Sequence, residues 1–171
     1  GAILGAFPLD GRFGLSQGFD TYDDKFPAES VYREVDLAQR KAADVSRLAL
    51  EWLDSQKSGP FFLWCHYYDP HAPYQPPEPY KTRFAGDPYA GEIASMDAEI
   101  GRLLDDLRSR GLLERTVIIV AGDHGEGLDE HSEHNHTLFI YQTTQHVPLL
   151  VRFPAAGAFA GKEWRGVRVA G

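Results

Sequence analysis

Ionisable side chains follow a short apolar run at residues 116–121. Asp123 and His124 come directly after this run, and glycines stand on either side of them at Gly122 and Gly125. A carboxylate and an imidazole that are adjacent at a strand end can offer one oxygen and one nitrogen to a cation if the backbone turns there, as glycine allows. The pair is therefore a candidate metal site. The alternative is that Asp123 caps a helix and His124 is solvated.

Three further histidines lie within six residues of one another, at His131, His134 and His136. Imidazole is a common metal ligand and titrates near neutral pH, so these three could form a zinc cluster. The alternative is that they decorate an acidic loop, because a tetrahedral zinc site needs a fourth ligand and a defined geometry.

His71 lies in a proline-rich loop at residues 69–80, between Pro70 and Pro73. Proline stiffens this loop, so holding the imidazole against a ligand costs little entropy. The alternative is a histidine packed on neighbouring tyrosines. Cys65 lies inside an apolar run and is interpreted as a small core residue.

Composition limits the class of protein and its partners. The chain has 171 residues, of which 43% are hydrophobic, so we expect a packed core. Its formal net charge is −8, which argues against nucleic acid or an anionic membrane as the main partner. A single cysteine excludes an intrachain disulfide. No apolar run approaches the roughly 18 residues of a membrane span, and no signal peptide is visible.

The elements that position these side chains alternate along the chain. Residues 1–29 are interpreted as ordered loop. Apolar residues at helical spacing from Val35 to Leu53 predict a long helix that begins near Ser30 and ends at Gly59-Pro60. The continuous apolar run at 60–66 predicts a strand covered on both faces.

A second helix and two more strands follow. Apolar residues from Ile93 to Leu107 share one helical face, and Gly111 ends that helix. Apolar runs at 116–121 and 146–153 predict buried strands. This order predicts an α/β fold with a largely parallel sheet flanked by helices. Ligands bind beyond the carboxyl ends of such strands, so the loops after 60–66 and 116–121 are expected at the same sheet edge.

Four segments together resemble the sulfatase family of the alkaline-phosphatase-like superfamily. They are FFLWCHYYDPHAPYQPPEPY, YAGEIASMDAEIGRLLDDL, the stretch from TVIIVAGDHGEG to HVPLLV, and GLSQGFDTYDD near the start. The resemblance covers roughly residues 7 to 153. It implies an alkaline-phosphatase-like fold and a single, partial catalytic domain over residues 1–171.

The resemblance also implies roles for four residues. Asp123 and His124 would be two ligands of one divalent cation, and His71 and His136 would contact the sulfate oxygens or the leaving oxygen. Calcium is the first expectation for the cation. Magnesium, manganese and zinc are alternatives, because oxygen ligands favour the hard cations whereas imidazole favours manganese or zinc.

The activity implied is hydrolysis of sulfate esters, in which formylglycine made from Cys or Ser attacks the sulfur. The substrate would be a sulfated small molecule or glycan, and the location periplasmic or extracellular. The alternatives are a phosphatase, phosphodiesterase or phosphotransferase of the same superfamily, or a non-catalytic module that binds anions and metal.

The sequence departs from the family pattern in two respects. Asp129, Ser132 and Thr137 stand where relatives often carry glycine. The nucleophile motif, Cys or Ser before x-Pro-x-Arg, does not occur in the 171 residues, and Asp23-Asp24 is not the family's paired-Asp metal motif. The chain is therefore expected to be a C-terminal portion of the catalytic domain, without its N-terminal part and truncated at its C-terminus. Alone, it is expected to be inactive.

Overall fold

A computed structural model describes residues 1–26, 38–56, 58–132, 136 and 140–154. The chain divides into two compact units, Gly1–Asp106 and Leu107–Gly171. The single-domain organisation expected for residues 1–171 stays a prediction. In the described part of the chain, no helix combines the length and the apolar character that a membrane span requires.

Short parallel strands form the sheet of the first unit. Within the described residues these are β1 (Ala2–Ile3), β2 (Tyr22–Asp23) and β3 (Trp64–Cys65), in the order β2–β1–β3. Both pairings with β1 are parallel, as predicted for the fold. The interpretation of residues 1–29 as loop was wrong at β1 and β2, because a two-residue strand is too short to show a periodic pattern.

The helix α1 runs from Ala42 to Ser55 and packs on this sheet. Its predicted start near Ser30 lies outside the described residues, but residues 38–41 are not helical. Instead, the backbone N–H of Arg40 donates to the carbonyl of Gly5 at 2.7 Å. In a helix that began near Ser30, the N–H of Arg40 would bond within the helix, so its bond to Gly5 places the start of α1 later than the apolar stripe predicts.

The centre of the core in the first unit is formed by Ile3, Val45 and Ala49, all at most 2% exposed. Partly buried side chains pack around them, namely those of Leu48, Trp52, Leu63, Cys65, Tyr67 and Leu103. The predicted strand at 60–66 is observed only at Trp64–Cys65. Its expected coverage on both faces was wrong, since Phe62 is 70% exposed.

Two helices follow the proline-rich loop, which contains no helix or strand over residues 69–79. They are α2 (Tyr80–Arg83) and α3 (Pro88–Ser109). The predicted helix end is confirmed: Gly111 has φ of 66°, where glycine is favoured, and its N–H donates to the carbonyl of Arg108 at 3.0 Å.

The second unit contains an antiparallel strand pair, β4 (Ile118–Ala121) and β5 (Leu149–Arg152), with the short helix α4 (Gln142–Gln145) before β5. Both strands were predicted at these positions. Their expected burial was wrong, because Ile119 is 64% and Leu150 is 59% exposed. The antiparallel pairing is a difference from the parallel arrangement that the apolar runs indicate.

Candidate functional site

His71 is held at both its backbone and its ring. Its backbone N–H donates to Oε2 of Glu92 at 3.1 Å. The ring stacks on Tyr68 with centroids 4.1 Å apart, so the packing on a tyrosine that the sequence left open is observed. Nδ1 lies 2.7 Å from the carbonyl oxygen of Ala72, which can only accept, so Nδ1 carries the proton. In the neutral ring, Nε2 therefore accepts from the Tyr68 hydroxyl at 3.0 Å.

Two buried carboxylates, Asp69 and Glu92, and the partly exposed ammonium of Lys41 form a group of charges next to this loop. Lys41 Nζ lies 2.9 Å from Glu92 Oε1 and 3.2 Å from Asp69 Oδ1. The other oxygen of Asp69 accepts from the backbone N–H of Ala42 at 2.7 Å, at the first residue of α1. The ammonium of Lys41 thus pairs with both carboxylates, and the carboxylate of Asp69 also bonds to the first residue of α1.

The pKa values of this group reflect burial and the neighbouring charges. Burial acts to lower the pKa of Lys41, but the hydrogen bond to Glu92 and the charge of Asp69 outweigh it and raise the pKa. The pKa of Asp69 is also raised, chiefly by burial and against the opposing effect of Lys41. The two directions are compatible, because Lys41 faces two carboxylates whereas Asp69 faces one ammonium and the like charge of Glu92.

The second candidate group lies directly after β4, where two glycines let the backbone pass close to other segments. The N–H of Gly122 donates to the carbonyl of Pro148 at 3.0 Å, and the N–H of Gly125 to that of Thr144 at 2.8 Å. A Cβ at Gly125 would lie 2.0 Å from the carbonyl oxygen of Thr143. Only glycine fits there, so this close approach sets the path of the loop.

Asp123 and His124, the two predicted cation ligands, lie side by side in the loop after β4. Residues 122–127 contain no helix, so the alternative in which Asp123 caps a helix is wrong. The Asp123 carboxylate is 81% exposed, and its Oδ1 lies 3.9 Å from His124 Nε2. His124 Nδ1 lies 2.8 Å from the carbonyl oxygen of Gly125, so it carries the proton and leaves the lone pair on Nε2.

These two atoms fit as ligands of one divalent cation. Protein ligands lie about 2.0–2.6 Å from such ions, and a separation of 3.9 Å between oxygen and nitrogen is compatible with both contacting the same ion. Among the described residues, no three His, Cys, Asp or Glu side chains form a metal cluster. The pair therefore fits part of a cation site, and its assignment stays a prediction.

His136 is brought against His124 and against a buried carboxylate. The two imidazole rings stack with centroids 3.9 Å apart. His136 Nδ1 donates to Oε1 of Glu126 at 3.2 Å, and the Glu126 side chain is only 6% exposed. This bond fixes the ring and places the proton of the neutral tautomer on Nδ1.

The remaining histidines of this segment have other surroundings. The ring of His131 stacks on Tyr141 with centroids 4.2 Å apart. His134 lies outside the described residues. The zinc cluster of His131, His134 and His136 is thus not seen among the described side chains, where each described ring has a different neighbour.

Two functional candidates, Glu92 and Glu126, were missed by sequence reasoning. Both are almost fully buried, at 1% and 6% side-chain exposure, and each bonds to a histidine singled out by the sequence. Glu92 lies between Gly91 and Ile93 on the apolar side of α3. A glutamate within that apolar stripe was the available signal, because a buried carboxylate requires partners.

The comparisons with known proteins point to one family. A family model described as Sulfatase matches residues 5–159. Arylsulfatase K from Bos taurus is 37% identical over 70 residues, which are 41% of this chain and 13% of that protein. N-acetylglucosamine-6-O-sulfatase from Bacteroides thetaiotaomicron is 37% identical over 68 residues, which are 40% of this chain and 12% of that protein.

A solved structure supports the fold. A phosphonate monoester hydrolase from Agrobacterium radiobacter has a TM-score of 0.61 at 22% identity, covering 67% of this chain and 33% of that one. At this identity the likeness shows the fold alone. In the two curated relatives, the matched segments span 13% and 12% of their own length.

Proposed function

This chain belongs to the sulfatase family, and from that premise we propose that its parent protein hydrolyses sulfate esters with one divalent cation. The observation that carries the proposal is the contact between His124 and His136, whose rings stack at 3.9 Å. It brings a predicted cation ligand and a predicted substrate contact together in one loop, as a site that acts on an anion requires.

Asp123 and His124 would hold the cation. A divalent ion bound there supplies Lewis-acid stabilisation of the negative charge on the sulfate oxygens. Calcium is our first expectation for it, with magnesium, manganese and zinc as alternatives. The nucleophile would be a formylglycine in a segment of the parent protein beyond the sequence described.

His136 would exchange a proton with the leaving oxygen through Nε2. Glu126 holds the opposite ring nitrogen at 3.2 Å, so the ring keeps its orientation while Nε2 gains or loses a proton.

His71 would contact a sulfate oxygen through Nε2, a nitrogen that is hydrogen-bonded to Tyr68 in this structure. Its Nε2 is 3.0 Å from the Tyr68 hydroxyl, so the substrate must displace that hydroxyl or share the nitrogen with it. As the imidazolium, His71 would present a second donor to the anion while Nδ1 remains bonded to the Ala72 carbonyl.

The substrate would be a sulfated small molecule or a sulfated glycan. The names of the two curated relatives, an arylsulfatase and an N-acetylglucosamine sulfatase, support this range.

Turnover by the parent protein tests the proposal. We expect hydrolysis of 4-nitrophenyl sulfate with at least one of calcium, magnesium, manganese or zinc, and with a higher kcat/KM than for 4-nitrophenyl phosphate or a phenylphosphonate ester. Turnover confined to the phosphate or phosphonate ester would instead assign the parent to the phosphoryl-transfer branch of the superfamily. Binding of sulfate without any turnover would assign a non-catalytic module.

A further inference from the structure

Glu92 is the most deeply buried ionisable side chain near the proline-rich loop, at 1% exposure. Its carboxylate accepts three hydrogen bonds. Oε1 accepts from Lys41 Nζ at 2.9 Å and from the backbone N–H of Gln75 at 2.8 Å, and Oε2 accepts from the backbone N–H of His71 at 3.1 Å. A carboxylate is retained in such a buried place only when donors replace the water it has lost.

Two of these three donors are backbone groups of the loop that carries His71. The prolines of this loop have no N–H to donate, and there are five of them: Pro70, Pro73, Pro76, Pro77 and Pro79. The loop is therefore poor in backbone bonds of its own. The Glu92 carboxylate fixes it from outside at two points four residues apart, and His71 is one of those points.

The packing of α3 against the loop is adapted to this contact. A Cβ at Gly91 would lie 2.9 Å from Cγ of Pro76 and 3.2 Å from Cβ of Phe84. Glycine at this position lets the helix approach closely enough for the next residue, Glu92, to reach the loop backbone. Lys41 offsets the charge of Glu92 and ties it to Asp69, the residue bonded to the start of α1.

We propose that Glu92 is a positioning residue for His71 in sulfate ester hydrolysis, a role that rests on the function proposed above. Glu92 contacts the His71 backbone rather than the imidazole, so it acts by fixing where the ring can lie. A reacting group displaced by about 1 Å can lose on the order of 10²-fold in rate. The loss of this carboxylate should therefore appear in kcat more than in KM.

The test uses the full-length parent protein and three variants. Glu92→Gln keeps the side-chain volume but replaces one acceptor oxygen by a donor, and Glu92→Asp keeps the charge but withdraws the carboxylate from the loop by one methylene. Glu51→Gln is the matched control, because Glu51 is exposed on α1 and pairs with Arg47. We expect kcat to fall at least tenfold in both Glu92 variants with KM changed less than threefold, and the control to keep the parent's values.

Combination with His71→Ala separates positioning from a merely structural role. If Glu92 acts through His71, Glu92→Gln causes little further loss of kcat in a His71→Ala background. An equal fold-loss with and without His71, or an unchanged kcat in both Glu92 variants, would overturn the proposal. Should Glu92→Gln fail to fold, Glu92→Asp carries the same comparison with the buried charge retained.

Hydrogen–deuterium exchange gives a readout that needs no turnover. A peptide covering residues 71–75 should exchange faster in Glu92→Gln than in the parent, because the amide leaves one acceptor oxygen for the N–H groups of His71 and Gln75, which now have two. Glu51→Gln should leave this exchange unchanged. Unchanged exchange in Glu92→Gln would overturn the positioning role whatever the parent's activity. If Glu92→Gln exchanges faster but the parent hydrolyses no sulfate ester, the bonds from Glu92 to the loop are supported and the proposed reaction is rejected.

Discussion

His124 and His136 lie ring against ring, with centroids 3.9 Å apart and planes inclined by 28°. Twelve residues separate them in the chain, so the loop after β4 folds back on itself. One ring is a predicted cation ligand and the other a predicted substrate contact. Because the two rings are in contact, we expect the effects of substitutions at His124 and His136 to be non-additive.

Replacement of His136 by Ala in the parent protein should reduce kcat/KM for a sulfate ester by about 2–4 kcal/mol of transition-state stabilisation, the effect of losing one preorganised donor. His131→Ala is the matched control, because His131 stacks on Tyr141 and has no assigned role in the reaction. Steady-state kinetics with both variants checks this. An equal loss in the two variants would contradict the role of His136.

Replacement of Glu126 by Gln should also reduce kcat/KM for a sulfate ester, but by less than His136→Ala, because Glu126 acts through His136. The variant keeps the volume but weakens the bond that orients His136, now 3.2 Å long. We expect no additional loss when Glu126→Gln is combined with His136→Ala, since the carboxylate then has no ring to hold. Additive losses in the double variant would show that Glu126 acts on something else.

Replacement of Ser132 by glycine is expected to stabilise the folded protein. Ser132 has φ of 62°, in the left-handed region, and it stands where the family often carries glycine. Ser132→Gly should raise the free energy of unfolding by about 0.5–1 kcal/mol, because relief of the Cβ clash exceeds the entropy that glycine loses on folding. Ser132→Ala, which removes the hydroxyl but keeps the Cβ, should give no such gain. Denaturant unfolding of both variants measures the difference.

Lys41 should make the free energy of unfolding depend on pH in the alkaline range. Although burial acts to lower its pKa, Glu92 and Asp69 raise it above the usual 10.5. A cation with a raised pKa in the folded state contributes stability that is complete below the unfolded pKa and is lost as pH rises through the folded one. The difference in unfolding free energy between the parent chain and Lys41→Met should therefore be constant below about pH 10 and shrink above it.

The same measurement on Lys41→Arg provides the control. Arginine stays charged throughout this range, so its difference from Lys41→Met should not shrink in the same interval. A difference between Lys41 and Lys41→Met that grows above pH 10.5 would contradict the assigned direction.

Cys65 should be unreactive in the folded protein. Burial raises its pKa to about 12, so only about one molecule in ten thousand carries the thiolate at pH 8. Mass spectrometry should find no alkylation by iodoacetamide under native conditions and complete alkylation after unfolding. Rapid native alkylation would contradict the interpretation of Cys65 as a residue packed against the core.

The elements predicted from the sequence are those with a long, regular pattern. The helix α3 has about four turns of consistent apolar spacing from Ile93 to Leu107, and its end at Gly111 follows from a left-handed backbone that glycine favours. The start of α1 was not predictable, because it depends on Gly5 and on Asp69, which are remote in the sequence. Strands β1 and β2 pair through two residues each, too few to carry a pattern.

The sequence predicted the histidines of the site but not Glu92 and Glu126, the carboxylates that bond to them. His71, His124 and His136 stand out because of their spacing and flanking motifs. Two of the three partners of Glu92 are backbone N–H groups 17 and 21 residues away, and Glu126 bonds to His136, ten residues further along the chain. Residue type alone does not reveal such contacts, since an isolated glutamate is more often solvated than buried.

Cation binding by Asp123 and His124 is the most direct test of the proposed function, because the cation site and the role of His136 both depend on this loop. Isothermal titration of the parent protein with calcium, magnesium, manganese and zinc should show one site that is abolished or strongly weakened in Asp123→Ala and in His124→Ala. Asp97→Ala, at an exposed position on α3, should leave that site intact. Unchanged cation affinity in Asp123→Ala and His124→Ala would contradict the assignment of the metal site.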